Sequence, residues 1–378
     1  MPPKLIDGST LEGGGQILRN SVALAALLST PLSIHNIRAN RSQPGLKSQH
    51  AAGLRLAAEI SNARLTGASG ASRPLASEFD ASIGSTEVDF VPGKIRTGIG
   101  YTGDAITAGS TTLLLQIALP MLVFSHQPQP TQLTLLGGTN ATQAPQADYA
   151  QHILLPFCRQ AFGLDADLTI ERRGYYPKGG GRLEVTIRPV VGPLKPVTLL
   201  ERGKVQRIRG IAHVAGVPRS LAEQMAQGAR NVLNGHPELA GIDIAIECTR
   251  ERNDNTAGAG SGIVLWAELE GGGILGGSAV GKKGASAASK GEEAAKELLK
   301  ALNNGGCVDD WLQDQVIIFM ALADGESALN VGKDDLTLHT RTAIWVAEQL
   351  TDARFTVDVS AGTHIIRCRG IGYAAPAA

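Results

Sequence analysis

Aromatic residues make up only 4% of the 378-residue chain, and cysteine occurs four times, as Cys158, Cys248, Cys307 and Cys368. The cysteines stand alone, with no CxxC pair and no ligand spacing to a histidine. A zinc-ribbon arrangement and a disulfide framework are therefore not expected, and a reducing interior is. Net charge is missing as well: Lys plus Arg number 35, as do Asp plus Glu. Without a global positive field the chain is no nonspecific nucleic-acid binder, and any polyanion must be held by a local patch. No run of about 18 apolar residues appears, and no charged segment followed by a short apolar one opens the chain, so neither a membrane span nor secretion is expected.

What is abundant is glycine, with 46 residues, more than the capping of a few helices requires. Many tight turns, or backbone held close to a ligand, are implied. The length suits two or three domains, or one large body with an insertion.

Along the chain, Leu5 to Asp7 reads as an edge strand. Glu12 and Gly13 to Gly15 then precede a helix with apolar Ile17, Val22, Leu24, Ala25 and Leu28. The strand LSIHNI, the loop RANRSQPGLKSQ, the helix HAAGLRLAAEI and the strand NARLTG follow. The middle repeats this order: TAGSTTLLLQIALPMLVF as helix, QLTLLGG as strand, TNATQAPQAD as polar loop, and YAQHILLPFCRQAF as a helix that Pro156 should kink. DLTIERRG and GRLEVTIRP read as paired strands. Residues 311–357 give the order a third time. A unit of helix, strand, loop, helix and strand used three times is inferred, each copy a sheet covered on one face by a helix pair. The texture changes after the proline-rich RPVVGPLKP. The expected organisation is two repeats over residues 1–188, an inserted α/β domain over 189–304, and the third repeat over 305–378.

Several stretches carry candidate chemistry, each with a plainer reading beside it. GGSAVGKK, Gly276 to Lys283, nearly spells a P-loop, but Lys283 stands where the Mg²⁺-binding hydroxyl belongs, and a glycine-rich turn is the preferred reading. Glu12 before three glycines is either a capping arrangement or a carboxylate beside exposed N–H groups at a Mg²⁺-nucleotide site. The loop from Arg38 to His50 gathers Arg38, Arg41, Lys47, Gln49 and His50, and is either a solvated basic loop or a phosphate grip. RRGYYPKGGGR, residues 172–182, is either a base-stacking loop or a simple hairpin turn. Among the histidines, His35, His50, His126, His152, His213, His236 and His364 have no recurring partner and read as structural or solvent-facing. His339 differs, because it sits at a loop-to-helix junction of a repeat, where the helix dipole attracts anions and discourages protonation of the ring. Such a position suits a nucleophile facing a phosphate.

Taken together and in order, DGSTLEGGGQILR, IRANRSQPGLKSQH, TAGSTTLLLQIALP, GYYPKGGG, WLQDQ and LTLHTRTAI resemble the RNA 3'-terminal phosphate cyclase family over nearly the whole chain. The resemblance implies an α/β (α+β) fold in which three βαβαββ-type units form a large domain with a smaller inserted α/β domain. It implies ATP-dependent conversion of RNA 3'-phosphate ends to 2',3'-cyclic phosphates, with AMP carried on a histidine. By motif position that histidine is His339. Glu12 falls on the acidic position that would hold Mg²⁺ or Mn²⁺ or orient phosphate. Arg19, Arg38 and Arg41 fall on basic positions for ATP phosphates or the RNA end, and Gln49 and Gln116 on polar positions of the cleft. Pro145, Asp314 and Gln315 fall near the nucleotide pocket, Trp311 stands where some members carry Tyr, and Gln16 is a weaker candidate. The expected location is intracellular, in nucleus or cytoplasm. A cyclase-like scaffold of ribosomal RNA processing, which lacks the adenylylated histidine, is the alternative within the superfamily; LTLHTRT favours the enzyme. The enolpyruvate transferases, with similar repeats, lack the specific motifs.

Overall fold

The computed structural model describes residues 2–67, 79–80, 82–125, 127–360 and 362–376, and His126 lies outside them. Strand β1 (Lys4–Asp7), helix α1 (Gly15–Leu27), β2 (Leu32–His35), α2 (Ser48–Ser61), β3 (Arg64–Gly67), β4 (Phe79–Asp80) and β5 (Val88–Val91) make the first unit, with sheet order β1-β2-β5-β3-β4. The second consists of β6 (Gly100–Asp104), α3 (Thr111–Leu122), β7 (Thr131–Gly137), α4 (Ala147–Tyr149), a π-helical turn (Ala150–Leu154), α5 (Leu155–Phe162), β8 (Asp165–Arg172) and β9 (Gly181–Arg188). Its sheet order is β6-β7-β9-β8.

The short strand β10 (Thr198–Leu199) is followed by a separate layer: β11 (Val205–Ala215), α6 (Ser220–Asn234), β12 (Asp243–Arg250), β13 (Gly260–Leu269), β14 (Ile274–Val280) and α7 (Ala287–Asn304). Then α8 (Asp310–Leu322), β15 (Glu326–Gly332), α9 (Leu338–Leu350), β16 (Arg354–Ser360) and β17 (Thr363–Arg369) close the chain, in a sheet ordered β10-β15-β17-β16. In each of the three like sheets the first two strands are parallel and the pairs that follow, through the third and fourth strands, antiparallel. The fold is mixed α/β, with a βαβαββ order in each copy, to which the first copy adds the two-residue strand β4.

Two differences from the sequence reading have physical causes. Thr198 and Leu199 pair with Ala328 and Leu329, so β10 belongs to the third sheet although it lies within 189–304. We therefore place the start of the inserted unit after Leu199; its own core runs from Val205 to Leu302. The bend expected at Pro156 takes the form of the π-helical turn just before it. Pro156 has no N–H to donate, and a widened turn relieves the crowding of its ring against the preceding carbonyls.

Burial explains the layering. In β9 Leu183, Val185 and Ile187 point inward while Arg182 and Arg188 face out, the period of two expected of a half-buried strand. Helices α1 and α8 are buried nearly all round, as only helices enclosed on every side can be. Helix α1 packs on α2, α3 and α9, and α8 packs on α9 and α3, so the three units meet through their helices. That junction brings the start of α1 beside the start of α9. The GGSAVGKK stretch, by contrast, is mostly strand β14, with the Gly276 N–H bound 2.7 Å from Asp309 Oδ2.

Candidate active site

The glycines before α1 decide what can gather at its first turn. A Cβ on Gly14 would overlap the Glu12 carboxylate, and one on Gly15 would lie 2.7 Å from Arg19 Nη1 and 2.9 Å from His50 Nε2. Absence of side chains here lets three functional groups close over one turn of backbone. Arg41 Nη2 donates to Glu12 Oε1 at 2.9 Å and to the Glu12 carbonyl at 2.7 Å. Glu12 Oε2 is buried and has no hydrogen-bond partner.

Helix α9 approaches the same loop. Thr337 caps it, its hydroxyl accepting the Thr340 N–H at 3.1 Å, so His339 is the second helical residue, at the loop-to-helix junction read from sequence. Thr342 lies three residues on, hence on the same face, and its hydroxyl accepts the Glu12 N–H at 3.2 Å. The Thr340 hydroxyl donates to Gln313 Oε1 at 2.7 Å, fixing the start of α9 on α8. His339 itself is exposed. Partial burial lowers its pKa; Glu12 opposes the shift, and Arg19 and Arg41 add to it. The ring is thus held neutral with a lone pair available.

Arg19 and Asp314 complete the cluster. Arg19 Nη2 donates to Gln16 Oε1 at 2.6 Å, which gives Gln16 a positioning task rather than a helix-start one. Burial pushes the Asp314 carboxyl up to about 7; Arg19 holds it down in part, while Asp309 and Glu12 raise it further. His50 is pushed down to about 3 by burial, then by Arg19, Arg38 and Lys47. Its Nδ1 accepts the Lys47 N–H at 3.2 Å, which leaves Nε2 to carry the proton on the side of Gly15. From sequence, His50 counts as part of the Arg38–His50 basic loop but is grouped as a histidine with the structural or solvent-facing ones. The signal that could have found it is its place in the first turn of α2, the same kind of junction that singled out His339.

Residues 10–357 match the model of the RNA 3'-terminal phosphate cyclase family. The chain belongs to that family. It is 39% identical to a protein of Dictyostelium discoideum named probable RNA 3'-terminal phosphate cyclase, over 98% of this chain and 84% of that one. It is also 39% identical to the RNA 3'-terminal phosphate cyclase of Pyrobaculum aerophilum, over 97% and 98% of the two chains. The Drosophila melanogaster RNA 3'-terminal phosphate cyclase is 38% identical over 97% and 96%. No helix of the described residues is long and apolar enough to cross a membrane.

The other positions marked by the cyclase motifs fall into separate places. Gln49 lines a small cavity with Arg19 and His50, but its Oε1 is taken by the Ser110 N–H at 2.9 Å, where it steadies the start of α3. Gln116 and Gln315 share a second small cavity with Gln16 and Asn20 between α1, α3 and α8. Arg38 is half-buried, has φ of +56°, and leaves Nε without a partner. The Pro145 carbonyl accepts the Thr112 hydroxyl at 2.7 Å, and Trp311 Nε1 donates to Glu297 Oε1 at 3.0 Å, tying α8 to α7. Glu12, Arg19, Arg41 and His339, with Arg38 and Asp314 beside them, thus make one charged cluster, while Pro145 and Trp311 have their bonds elsewhere.

Proposed function

We propose that the chain converts RNA 3'-terminal phosphates into 2',3'-cyclic phosphates at the expense of ATP, with His339 as nucleophile. A neutral, exposed imidazole at a helix start, flanked by Glu12, Arg19 and Arg41, carries this reading. A terminal phosphate is a poor target for the neighbouring 2'-hydroxyl, because its charge repels nucleophiles and oxide is a poor leaving group. In the first step a ring nitrogen of His339 attacks the α-phosphorus of ATP, an N–P bond forms, and the bond to the β-phosphate oxygen breaks to release pyrophosphate. In the second, a 3'-phosphate oxygen of the RNA takes the adenylyl group and frees the histidine. In the third, the 2'-oxygen attacks the activated phosphorus, loses its proton, and expels AMP. The guanidinium groups of Arg19, Arg38 and Arg41 supply the positive charge that entering phosphates require.

A divalent ion fits this cluster in one limited way. Among the described residues no three His, Cys, Asp or Glu side chains gather as a metal cage. Glu12 Oε2, buried without a partner, is an oxygen donor of the hard type that Mg²⁺ or Mn²⁺ takes, and such an ion usually completes its shell with phosphate oxygens and water. Bound there, the ion would neutralise phosphate charge.

The reading is tested by incubating the protein with ATP, Mg²⁺ and an RNA bearing a 3'-phosphate. The end should become resistant to phosphatase, with one AMP and one pyrophosphate formed per ring closed; an end that stays phosphatase-sensitive overturns it. Glu12→Gln preserves shape while removing charge. Its adenylylation should fall by about 10- to 100-fold and recover partly as Mg²⁺ is raised. Equal rates at every metal concentration would remove Glu12 from the metal role.

A further inference from the structure

The turn between β8 and β9 separates the two tyrosines of RRGYYPKGGGR. Tyr175 is buried, its hydroxyl 2.9 Å from His213 Nδ1. Tyr176 is 83% exposed and, among the described residues, makes no hydrogen bond or ring contact. The turn that presents it is tightly closed: the Gly179 N–H donates to the Tyr175 carbonyl at 2.8 Å. Gly179 has φ of +61°, and a Cβ there would lie 2.5 Å from the Thr107 carbonyl and 2.9 Å from Ala108 Cα. The hairpin tip therefore abuts the loop of residues 105–109.

That second loop carries an independent anomaly. Ile106 sits at φ +66°, a region a β-branched residue rarely enters, and its side chain is 64% exposed. Its N–H is pinned by Asp104 Oδ1 at 2.6 Å. Strain that holds an apolar side chain out in water points to a use for the side chain. Lys178, also exposed and without an ion pair among the described residues, lies on the same hairpin, its stem beside Gly258. The 105–109 loop then runs into Ser110, whose N–H is held by Gln49, and Gln49 shares its cavity with Arg19 and His50. The exposed ring stands one loop away from the charged cluster.

We infer that Tyr176, with Lys178 on the same hairpin and Ile106 on the loop that the hairpin abuts, is a stacking platform for a nucleobase upstream of the RNA 3'-phosphate; this rests on the cyclase reading of the charged cluster. With the terminal phosphate at Arg19, the strand must leave across one of the bordering loops. Every base offers a π face to an aromatic ring, so the platform serves single-stranded ends of any sequence, and Lys178 attracts the adjoining phosphate.

Binding of a fluorescent 3'-phosphorylated single-stranded RNA, measured by anisotropy without nucleotide, tests this. Tyr176→Ala should bind roughly ten-fold or more weakly, and Tyr176→Phe should bind like the parent, since the ring and not the hydroxyl stacks. Abasic nucleotides placed singly near the 3' end should weaken the parent at one position and leave Tyr176→Ala indifferent there. Label transfer from ATP to the protein needs no RNA, and equal labelling of parent and variant verifies that the variant is folded. Equal RNA affinity of parent and Tyr176→Ala overturns the platform, leaving the cyclase reading intact. Failure of the parent to label or to cyclise counts against the cyclase reading alone, because the binding readout requires no turnover.

Discussion

A His339→Ala protein incubated with α-labelled ATP and Mg²⁺ should retain no acid-labile, base-stable label, a loss of at least ~1,000-fold against the parent. The size of the effect follows from the neighbours. Arg19, Arg38 and Arg41 have no lone pair to give, and the Glu12 carboxylate, held by Arg41 through Oε1, would form a base-labile mixed anhydride instead of a base-stable phosphoramidate. His50, the other imidazole near Arg19, has its Nδ1 occupied by the Lys47 N–H. His50→Ala should therefore still take up label, which separates the two histidines. The pH profile carries the sign of the shift. The His339 pKa is lowered from the ordinary 6.5, so the unprotonated nucleophile persists, and labelling should hold, as pH falls through that value. Labelling of His339→Ala at the parental rate would sink the assignment and move the nucleophile to another residue, whereas a parent that takes up no label would return the scaffold reading.

How much of this could be read beforehand depends on whether the signal was local. The glycines at 13–15 announced a close approach of side chains to backbone, because nothing else repays their entropy cost, and Glu12, Arg19 and His50 do converge there. The threefold order was legible from helical and strand periodicity in the apolar residues. The first strand of the second and third copies was not: GYTGD and the pair Thr198–Leu199 have too few apolar residues to alternate, and only their partners make them strands. The split of Tyr175 from Tyr176 was also hidden, because burial of one ring depends on His213 in the inserted unit. The partner of the Trp311 ring N–H, Glu297 on α7, was hidden for the same reason. A residue's last partner is a tertiary fact.

The same reason concealed the group on which stability should depend most. Arg173 places Nη1 and Nη2 2.7 and 2.8 Å from the two oxygens of Asp148, and its Nε 2.7 Å from Glu251 Oε1. His213 is wholly buried, with Nε2 3.5 Å from Asp148 Oδ2. Asp148 and Arg173 belong to the second repeat, Glu251 and His213 to the inserted unit, so the cluster rivets one to the other. Arg173→Met should destabilise the protein by about 3–5 kcal/mol, since it leaves the Asp148 carboxylate buried without its counter-ion. Adding Asp148→Asn should restore part of the loss, because no unpaired charge then remains. Urea unfolding checks both, and a single-variant loss below about 1 kcal/mol would show that the pair is not needed. Acid supplies the second arm. Burial, then Arg173, pushes His213 down to about 3 from the ordinary 6.5. Burial alone would raise Asp148, but Arg173 and His213 more than offset it, and its pKa lies below the ordinary 3.8. Both groups bind a proton more readily when unfolded, so both contribute stability at neutral pH that is lost on acidification. His213 loses its share from 6.5 down towards 3, and Asp148 only below its ordinary value. Between pH 6 and 4 His213 should account for roughly 1 kcal/mol per pH unit of the decline. His213→Gln should flatten the curve by that amount, and an unchanged slope would mean that water reaches the ring.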